Sequence, residues 1–155
     1  MLRIISGKYR HLIIEAPAVN TTKPTTDKVR EALMSALSGD LPNSIILDLF
    51  AGSGALGLEA LSRGAKQAFF CDNNFIAYKT IKKNIEKLNV TEDVTVFKSS
   101  YLEALQKIKE TNIKLDIVFL DPPYAKENIY VEVVNYLWEN DMLSTNAVIV
   151  KEWNK

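Results

Sequence analysis

The chain has 155 residues, of which 47% are hydrophobic and 25% are charged, a composition typical of a globular protein with a buried core. It has no run of about 18 apolar residues for a membrane helix and no N-terminal apolar segment followed by a small-residue cleavage site. We therefore expect a cytoplasmic protein. We also expect residues 1–155 to form a single domain, in which a basic N-terminal part (1–40) precedes a larger core (41–155).

The single cysteine and the single histidine argue against several kinds of site. Cys71 has no partner for an intramolecular disulfide, and its place in the apolar run 68–71 predicts a buried, unreactive side chain. One histidine, His11, is too few for a histidine-based metal site or a Ser-His-Asp triad. We therefore expect no metal.

The net charge of zero conceals an uneven distribution. Residues 1–30 contain six basic and two acidic side chains, a net charge of +4, and the remaining residues carry −4. A basic segment gains affinity for phosphates by releasing counterions from nucleic acid. The N-terminal part is thus predicted to contact nucleic acid, with a solvated basic face as the alternative.

The N-terminal part is predicted to contain a β-hairpin followed by a helix. The apolar runs at 2–6 and 12–15 flank Gly7-Lys8-Tyr9-Arg10, which places basic residues near the tip of the hairpin. Residues 24–27 then begin a helix that continues to about Leu37, with a threonine or the aspartate as its cap.

From residue 45 onward, strand-like apolar runs alternate with amphipathic helical segments. This alternation is typical of βαβ units and predicts a parallel α/β sheet with helices on both faces. The predicted strands are 45–49, 67–71, 94–98, 116–120 and 147–151, and the predicted helices are 55–63, 75–88, 101–110 and 128–139. The last strand would leave an apolar open edge, so we expect further strands, absent from these 155 residues, to cover it.

Residues 45–57 combine a strand, a glycine-rich turn and the start of a helix. Gly52 and Gly54 permit a tight turn and close approach of a ligand, and Gly57 permits close packing of the helix on the strand. Asp72 follows Gly52 by 20 positions, at the end of the next strand, where a carboxylate is placed to hold ribose hydroxyls. The pattern predicts a nucleotide-type ligand.

Asp48 distinguishes between two ligands that contain adenosine. A carboxylate directly before the turn repels the pyrophosphate of NAD but attracts the ammonium and sulfonium groups of S-adenosylmethionine. The alternative to cofactor binding is a structural role, in which Asp48 accepts hydrogen bonds from amides of the turn. The combination favours S-adenosylmethionine as the cofactor.

Asp121-Pro122-Pro123-Tyr124, the Asp-Pro-Pro-Tyr motif, directly follows the apolar run 116–120. Asp121 is therefore expected at the carboxyl end of a buried strand, where open parallel sheets bind ligands. The prolines stiffen the turn and lack amide hydrogens. A carboxylate, a proline carbonyl and an aromatic face suit a planar ring that carries an exocyclic amine, whereas the alternative is a turn capped by a surface tyrosine.

The motif at 48–54 (Asp-Leu-Phe-Ala-Gly-Ser-Gly) followed by the Asp-Pro-Pro-Tyr motif resembles class I methyltransferases that act on exocyclic amines. Residues 3–10 and 23–33 further resemble the RsmD-type 16S ribosomal RNA guanine-N2 methyltransferases, and the resemblance spans essentially the whole chain. It implies a Rossmann-like fold, S-adenosylmethionine as cofactor, and 16S rRNA or an assembling small-subunit particle as partner. The family usually continues with a final β-hairpin, which these residues lack.

The resemblance also implies roles for individual residues. The methionine part of the cofactor is assigned to the turn from Asp48 to Gly54, the ribose to Asp72 and the adenine to the segment after the third core strand, although an acid common there in the family is absent. The implied cofactor residues are Asp48, Phe50, Gly52, Ser53, Gly54, Asp72, Ser100, Tyr101 and, at the helix start with Thr25, Thr26. Thr25, Thr26 and Arg30 match the helix start that closes over the methionine end, with capping as the alternative for the threonines and surface charge for Arg30. The implied RNA contacts are Arg3, Lys8, Arg10 and Arg30.

For catalysis, the Asp121 carboxylate and the Pro122 carbonyl are expected to accept hydrogen bonds from guanine N2, while Tyr124 stacks on the base. The motif itself is equally compatible with adenine N6, cytosine N4 or a protein glutamine amide. Cytosine C5 fits badly, because it needs a cysteine nucleophile near the target and Cys71 lies on the second core strand. A non-enzymatic RNA-binding module and an NAD-dependent oxidoreductase are the remaining alternatives.

Overall fold

The computed structural model describes residues 2–18, 26–122 and 127–151. The strands are β1 (Leu2–Arg3), β2 (Ile13–Ile14), β3 (Ile45–Asp48), β4 (Gln67–Cys71), β5 (Asp93–Phe97), β6 (Leu115–Leu120) and β7 (Leu143–Lys151). The helices are α1 (Asp27–Ala36), α2 (Ala55–Ser62), α3 (Phe75–Lys87), α4 (Tyr101–Glu110) and α5 (Glu127–Glu139). Among the described residues, none of the helices has the length and apolarity needed to cross a membrane.

Strands β3 to β7 form one parallel sheet in the order β5-β4-β3-β6-β7, and β1 pairs antiparallel with β2 in a separate hairpin. One cluster of buried residues joins the hairpin, α1, α2 and α3 to one face of the sheet, and a second joins α4 and α5 to the other. Successive strand residues enter different clusters, as Ile46 and Leu47 do, because side chains alternate across a strand. The predicted α/β architecture with an N-terminal hairpin and helix is therefore confirmed.

The last strand begins earlier than the sequence predicts. Strand β7 starts at Leu143, which pairs with Leu115, but the next pair is Ile117 with Val148. The register shift falls on the polar residues 144–146, and a polar stretch interrupts the apolar pattern by which a strand is recognised in sequence. Among the described strands, β7 forms one edge of the sheet and β5 the other.

Gly57 lets helix α2 lie close to the sheet. A Cβ atom on this residue would be 2.3 Å from Cε1 and 2.7 Å from Cζ of Phe70, whose ring is fully buried in β4. Such distances are far inside van der Waals contact, and a buried ring has little freedom to move. The close helix–strand packing predicted for this glycine is confirmed.

Replacing Gly57 with alanine is expected to lower the free energy of unfolding by about 1–3 kcal/mol, because the added methyl overpacks the core. Urea unfolding followed by circular dichroism measures the change. Gly39→Ala is the matched control, since a Cβ there meets nothing within 4 Å and its φ is not in the left-handed region. Equal stability of the two variants would contradict the packing role of Gly57.

Candidate active site

All five parallel strands end at one edge of the sheet, which we call the carboxyl edge. From β3 the chain proceeds outward to β4 and β5, and then returns to the other side of β3 to form β6 and β7. The strand order therefore reverses between β3 and β6, and open α/β sheets bind their ligands at such a switch point. Asp48 ends β3 and Asp121 directly follows β6. The glycine turn and the Asp-Pro-Pro-Tyr motif therefore follow neighbouring strands at the same edge.

The glycine turn follows Asp48 and leads directly into α2. Gly52 and Gly54 have φ values of 58° and 82°, in the left-handed region where glycine is favoured, as the predicted tight turn requires. Asp48 is 3% exposed, and its Oδ2 accepts a hydrogen bond from the Gly57 amide at 3.1 Å. Asp48 thus has the structural role that the sequence left open, holding the first turn of α2 against the end of β3.

Asp72 lies one residue beyond the end of β4 and is half-buried. Its Oδ2 accepts a hydrogen bond from the Gly52 amide at 2.9 Å, and its Oδ1 accepts one from the Asn74 amide at 2.9 Å. The carboxylate therefore stabilises both the glycine turn and the start of α3. A carboxylate has about four lone-pair sites, so these two bonds leave capacity to accept hydrogen bonds from ribose hydroxyls.

Phe50, Ser100 and Tyr101 lie near the same edge and are half-buried. The rings of Phe50 and Tyr101 are 5.6 Å apart between centroids, and the Tyr101 hydroxyl donates a hydrogen bond to Glu132 of α5. That hydrogen bond raises the pKa of Tyr101. Ser100 caps α4, because its hydroxyl accepts a hydrogen bond from the Glu103 amide at 3.2 Å.

The described part of the Asp-Pro-Pro-Tyr motif is Asp121, which is half-buried, and Pro122, which is buried. Both follow a strand whose last four residues are buried, as expected from the apolar run. Pro123 and Tyr124 lie outside the described residues. The structure therefore places the predicted carboxylate and the first proline beside the glycine turn, and the stacking role of Tyr124 stays a prediction.

Thr26 and Arg30 belong to the start of α1, and Thr25 lies outside the described residues. The Thr26 hydroxyl caps the helix by accepting a hydrogen bond from the Val29 amide at 3.2 Å. Arg30 was expected at the surface as an RNA contact, but it is fully buried. Its guanidinium donates to the Arg3 carbonyl at 2.6 Å and lies 3.4 Å from a Glu59 carboxylate oxygen. This prediction is corrected, since a side chain enclosed in the interior is not placed to meet RNA.

Lys8 and Arg10 lie in the turn of the hairpin, and both are exposed. The Lys8 amide donates to the carbonyl of Ser62 at 2.8 Å, and its ammonium lies 3.2 Å from a carboxylate oxygen of Glu92. The ammonium donates a hydrogen bond to this carboxylate, and the bond raises the pKa of Lys8. Because Ser62 ends α2 and Glu92 directly precedes β5, the turn sits at the edge where the strands begin, which we call the amino edge. It is therefore at the opposite edge of the sheet from Asp121. RNA contact by these two residues stays a prediction.

Arg3 is the remaining predicted RNA contact. Its side chain is 61% exposed, and its Nε lies 3.9 Å from a carboxylate oxygen of Asp27, at the start of α1. An exposed ion pair of this length contributes little to stability. Arg3 thus has the surface position that an RNA contact requires.

Two polar side chains missed by the sequence analysis join the hairpin to the glycine turn and its helix. Glu59 is fully buried in α2 and accepts hydrogen bonds from the amides of Ile5 and Ser6, at 2.9 and 3.1 Å. Asn84 is fully buried in α3, and its amide group donates to the carbonyls of Glu15 and Ser53, at 2.8 and 2.9 Å. A signal existed, because each is a polar residue on the inward, apolar face of its helix.

Cys71 is the single cysteine of the chain, and it is buried. Burial raises the pKa of the Cys71 thiol to about 12, so the thiolate needed for nucleophilic attack is scarce at neutral pH. Within residues 2–18, 26–122 and 127–151, no group of three or more His, Cys, Asp or Glu side chains could hold a metal ion.

Comparison with known proteins places this chain in a family. The family model described as conserved hypothetical protein 95 matches residues 2–155. Among solved structures, the Escherichia coli protein yhhF, described as a candidate methyltransferase, superimposes with a TM-score of 0.83 at 35% identity. The superposition covers 99% of this chain and 82% of the Escherichia coli chain. The five-stranded parallel sheet and flanking helices are those of class I methyltransferases.

Curated relatives match along nearly the full chain. Ribosomal RNA small subunit methyltransferase D of Haemophilus influenzae is 37% identical over 157 residues, covering 99% of this chain and 79% of the relative. The protein of the same name from Escherichia coli K12 is 36% identical over 151 residues, covering 97% of this chain and 74% of the relative. This chain therefore belongs to the family of ribosomal RNA small subunit methyltransferase D.

Proposed function

We propose that this protein transfers a methyl group from S-adenosylmethionine to the exocyclic N2 amine of a guanine in 16S rRNA of the small ribosomal subunit. One observation carries the proposal: the switch point of the sheet brings the glycine turn after β3 next to Asp121 and Pro122 after β6. In this proposal the glycine turn binds the methyl donor and the residues after β6 bind the amine acceptor. The names of the relatives support the class of substrate.

In this proposal the donor half of the site is the glycine turn together with Asp48 and Asp72, whose negative charge suits the cationic S-adenosylmethionine. The left-handed Gly52 and Gly54 form the tight turn whose backbone we expect to contact the ligand. Asp48 contributes negative charge beside a cationic ligand, and Asp72 offers lone pairs for ribose hydroxyls. When bound, the cofactor supplies an electrophilic methyl group on a sulfonium. Phe50, Ser100 and Tyr101 lie on the adenine side of this site in the proposal.

The acceptor half orients the amine. An aromatic amine is a poor nucleophile, because its lone pair is delocalised into the ring. Hydrogen bonds from the amine to the Asp121 carboxylate and the Pro122 carbonyl hold it in place and favour a lone pair directed toward the glycine turn. Positioning of this kind supplies a large part of the rate enhancement when two reactants must meet. The target base must leave its stack to enter the site, and we assign the stacking surface to Tyr124.

The decisive experiment is methyl transfer to a defined substrate. The purified protein is incubated with labelled S-adenosylmethionine and either 16S RNA or small-subunit particles from a strain that lacks the modification. We expect N2-methylguanine as the product, identified by mass spectrometry of the digested RNA. N6-methyladenine or N4-methylcytosine would identify a related enzyme with a different amine. RNA binding without methyl transfer would indicate a non-enzymatic module, and either result would overturn the proposal.

A further inference from the structure

The hairpin turn and the Asp-Pro-Pro-Tyr motif lie at opposite edges of the sheet. The basic residues of the turn are therefore not placed to contact the RNA phosphates beside the target base, and another cation is needed there. The cationic residues Lys8 and Arg10 lie at the amino edge, and Arg30 is buried. A nucleotide held at the carboxyl edge brings its own phosphates to that edge. A cation on a strand adjacent to β6 is the group best placed to meet them.

Lys151 has this position. It is paired with Leu120 in the register of β7 on β6, and Asp121 is the next residue along the chain from Leu120. Neighbouring strands lie about 5 Å apart, so the Lys151 backbone is adjacent to the start of the Asp-Pro-Pro-Tyr motif. The side chain is exposed at the carboxyl edge.

The Lys151 ammonium is held in place by an aromatic ring. Its Nζ lies 4.2 Å from the centroid of the Tyr130 ring, which is 9% exposed and belongs to α5, the helix that follows the motif in the chain. A ring face attracts a cation. Contact with the ring restricts the rotamers of the long lysine side chain, which lowers the entropy lost when that side chain binds a ligand.

We propose that Lys151, positioned by Tyr130, binds a backbone phosphate of the RNA next to the target nucleotide. The inference rests on the proposed function, because it places the RNA at the carboxyl edge. Lys151 would increase the affinity for RNA but not the preference for a sequence, since a phosphate contact positions the nucleic acid and does not read its bases. Arg and Lys contacts of this kind make binding dependent on salt.

Lys151→Gln tests the inference through RNA affinity and its salt dependence. We expect the variant to bind small-subunit RNA roughly 3- to 10-fold more weakly than the wild-type protein at low salt. We also expect the slope of log affinity against log salt concentration to fall by roughly 0.7 to 1, the contribution of one phosphate contact. Lys151→Arg, which keeps the charge, should retain most of the affinity. Binding of S-adenosylmethionine, measured by calorimetry, should be unchanged in both variants.

Lys114→Gln is the matched control. Lys114 is also an exposed lysine close to β6, but it lies at the opposite, amino edge of the sheet, directly before the strand begins. There its ammonium pairs with the Asp141 carboxylate at 3.0 Å. Its replacement should leave the salt slope unchanged. The same loss in both variants, or an unchanged slope for Lys151→Gln, would overturn the inference. Because RNA binding is measured without turnover, wild-type protein that binds RNA but makes no N2-methylguanine contradicts the proposed function and not the role of Lys151.

Discussion

Asp121→Ala is expected to lower the rate of methyl transfer by roughly 10²- to 10³-fold or more, because the amine loses the charged acceptor that orients it. Asp121 is half-buried directly after β6, beside the glycine turn, so the change removes a carboxylate without opening a cavity in the core. Asp121→Asn keeps one acceptor oxygen and should lose less activity. Single-turnover assays with saturating RNA and cofactor measure the rate.

The controls for Asp121 separate catalysis from binding and folding. Calorimetry should give an affinity for S-adenosylmethionine close to that of the wild-type protein, because Asp48 and Asp72 are retained. Asp93→Ala removes an exposed carboxylate at the start of β5, at the amino edge, and should leave the rate unchanged. Wild-type turnover by Asp121→Ala would contradict the assignment of this residue as the catalytic acceptor.

Glu59→Ala is expected to cost about 3–5 kcal/mol of the free energy of unfolding, since it removes the buried carboxylate of the network and leaves Arg30 with Asp27, at 2.9 Å, as its remaining carboxylate partner. Glu59 is fully buried, and its carboxylate lies 3.4 Å from Nε of Arg30 and 2.9 Å from Nε of Arg63. It also accepts hydrogen bonds from the backbone amides of Ile5 and Ser6. One side chain therefore holds the hairpin, α1 and α2 together, and urea unfolding measures its contribution.

Two comparisons refine the role of Glu59. Glu59→Gln keeps an oxygen for the backbone amides but removes the charge, so its loss of stability should lie between those of the wild-type protein and the alanine variant. Glu31→Ala removes the other carboxylate partner of Arg63, at 2.6 Å, but that side chain is 45% exposed, and its loss should be small. If Glu59→Ala unfolds at the same urea concentration as Glu31→Ala, the buried network does not hold these elements together.

The parallel sheet and the order of the site were predictable from local patterns. Buried strands covered on both faces are nearly continuous apolar runs, and helices repeat their apolar residues every three to four positions, so β3 to β6 and α2 to α5 could be recognised individually. In a parallel sheet, a motif that follows a strand must lie at the carboxyl edge. The sequence therefore predicted that the glycine turn and Asp121 share that edge.

Partners far apart in the chain could not be predicted in this way. Arg30 looked like a surface cation because its turn of α1 is polar, but it is fully buried and its guanidinium lies beside Glu59, 29 residues later in the chain. Lys8 looked like a free basic tip, but Glu92 pairs with it across 84 positions and places the hairpin turn at the amino edge. The inward position of Glu59 on its helix is visible in the sequence, but no local pattern shows which cation each of these carboxylates meets.

The sequence by itself determined the kind of fold, the family, and which residues follow the strands at the carboxyl edge, because each of these depends on periodicity or on short motifs. Only the tertiary structure decided which charges are buried, which edge the hairpin turn meets, and that Lys151 lies beside Leu120. The physical reason is that burial and ion pairing depend on distances between elements. Those distances are set when the helices pack on the sheet, and no single segment contains them.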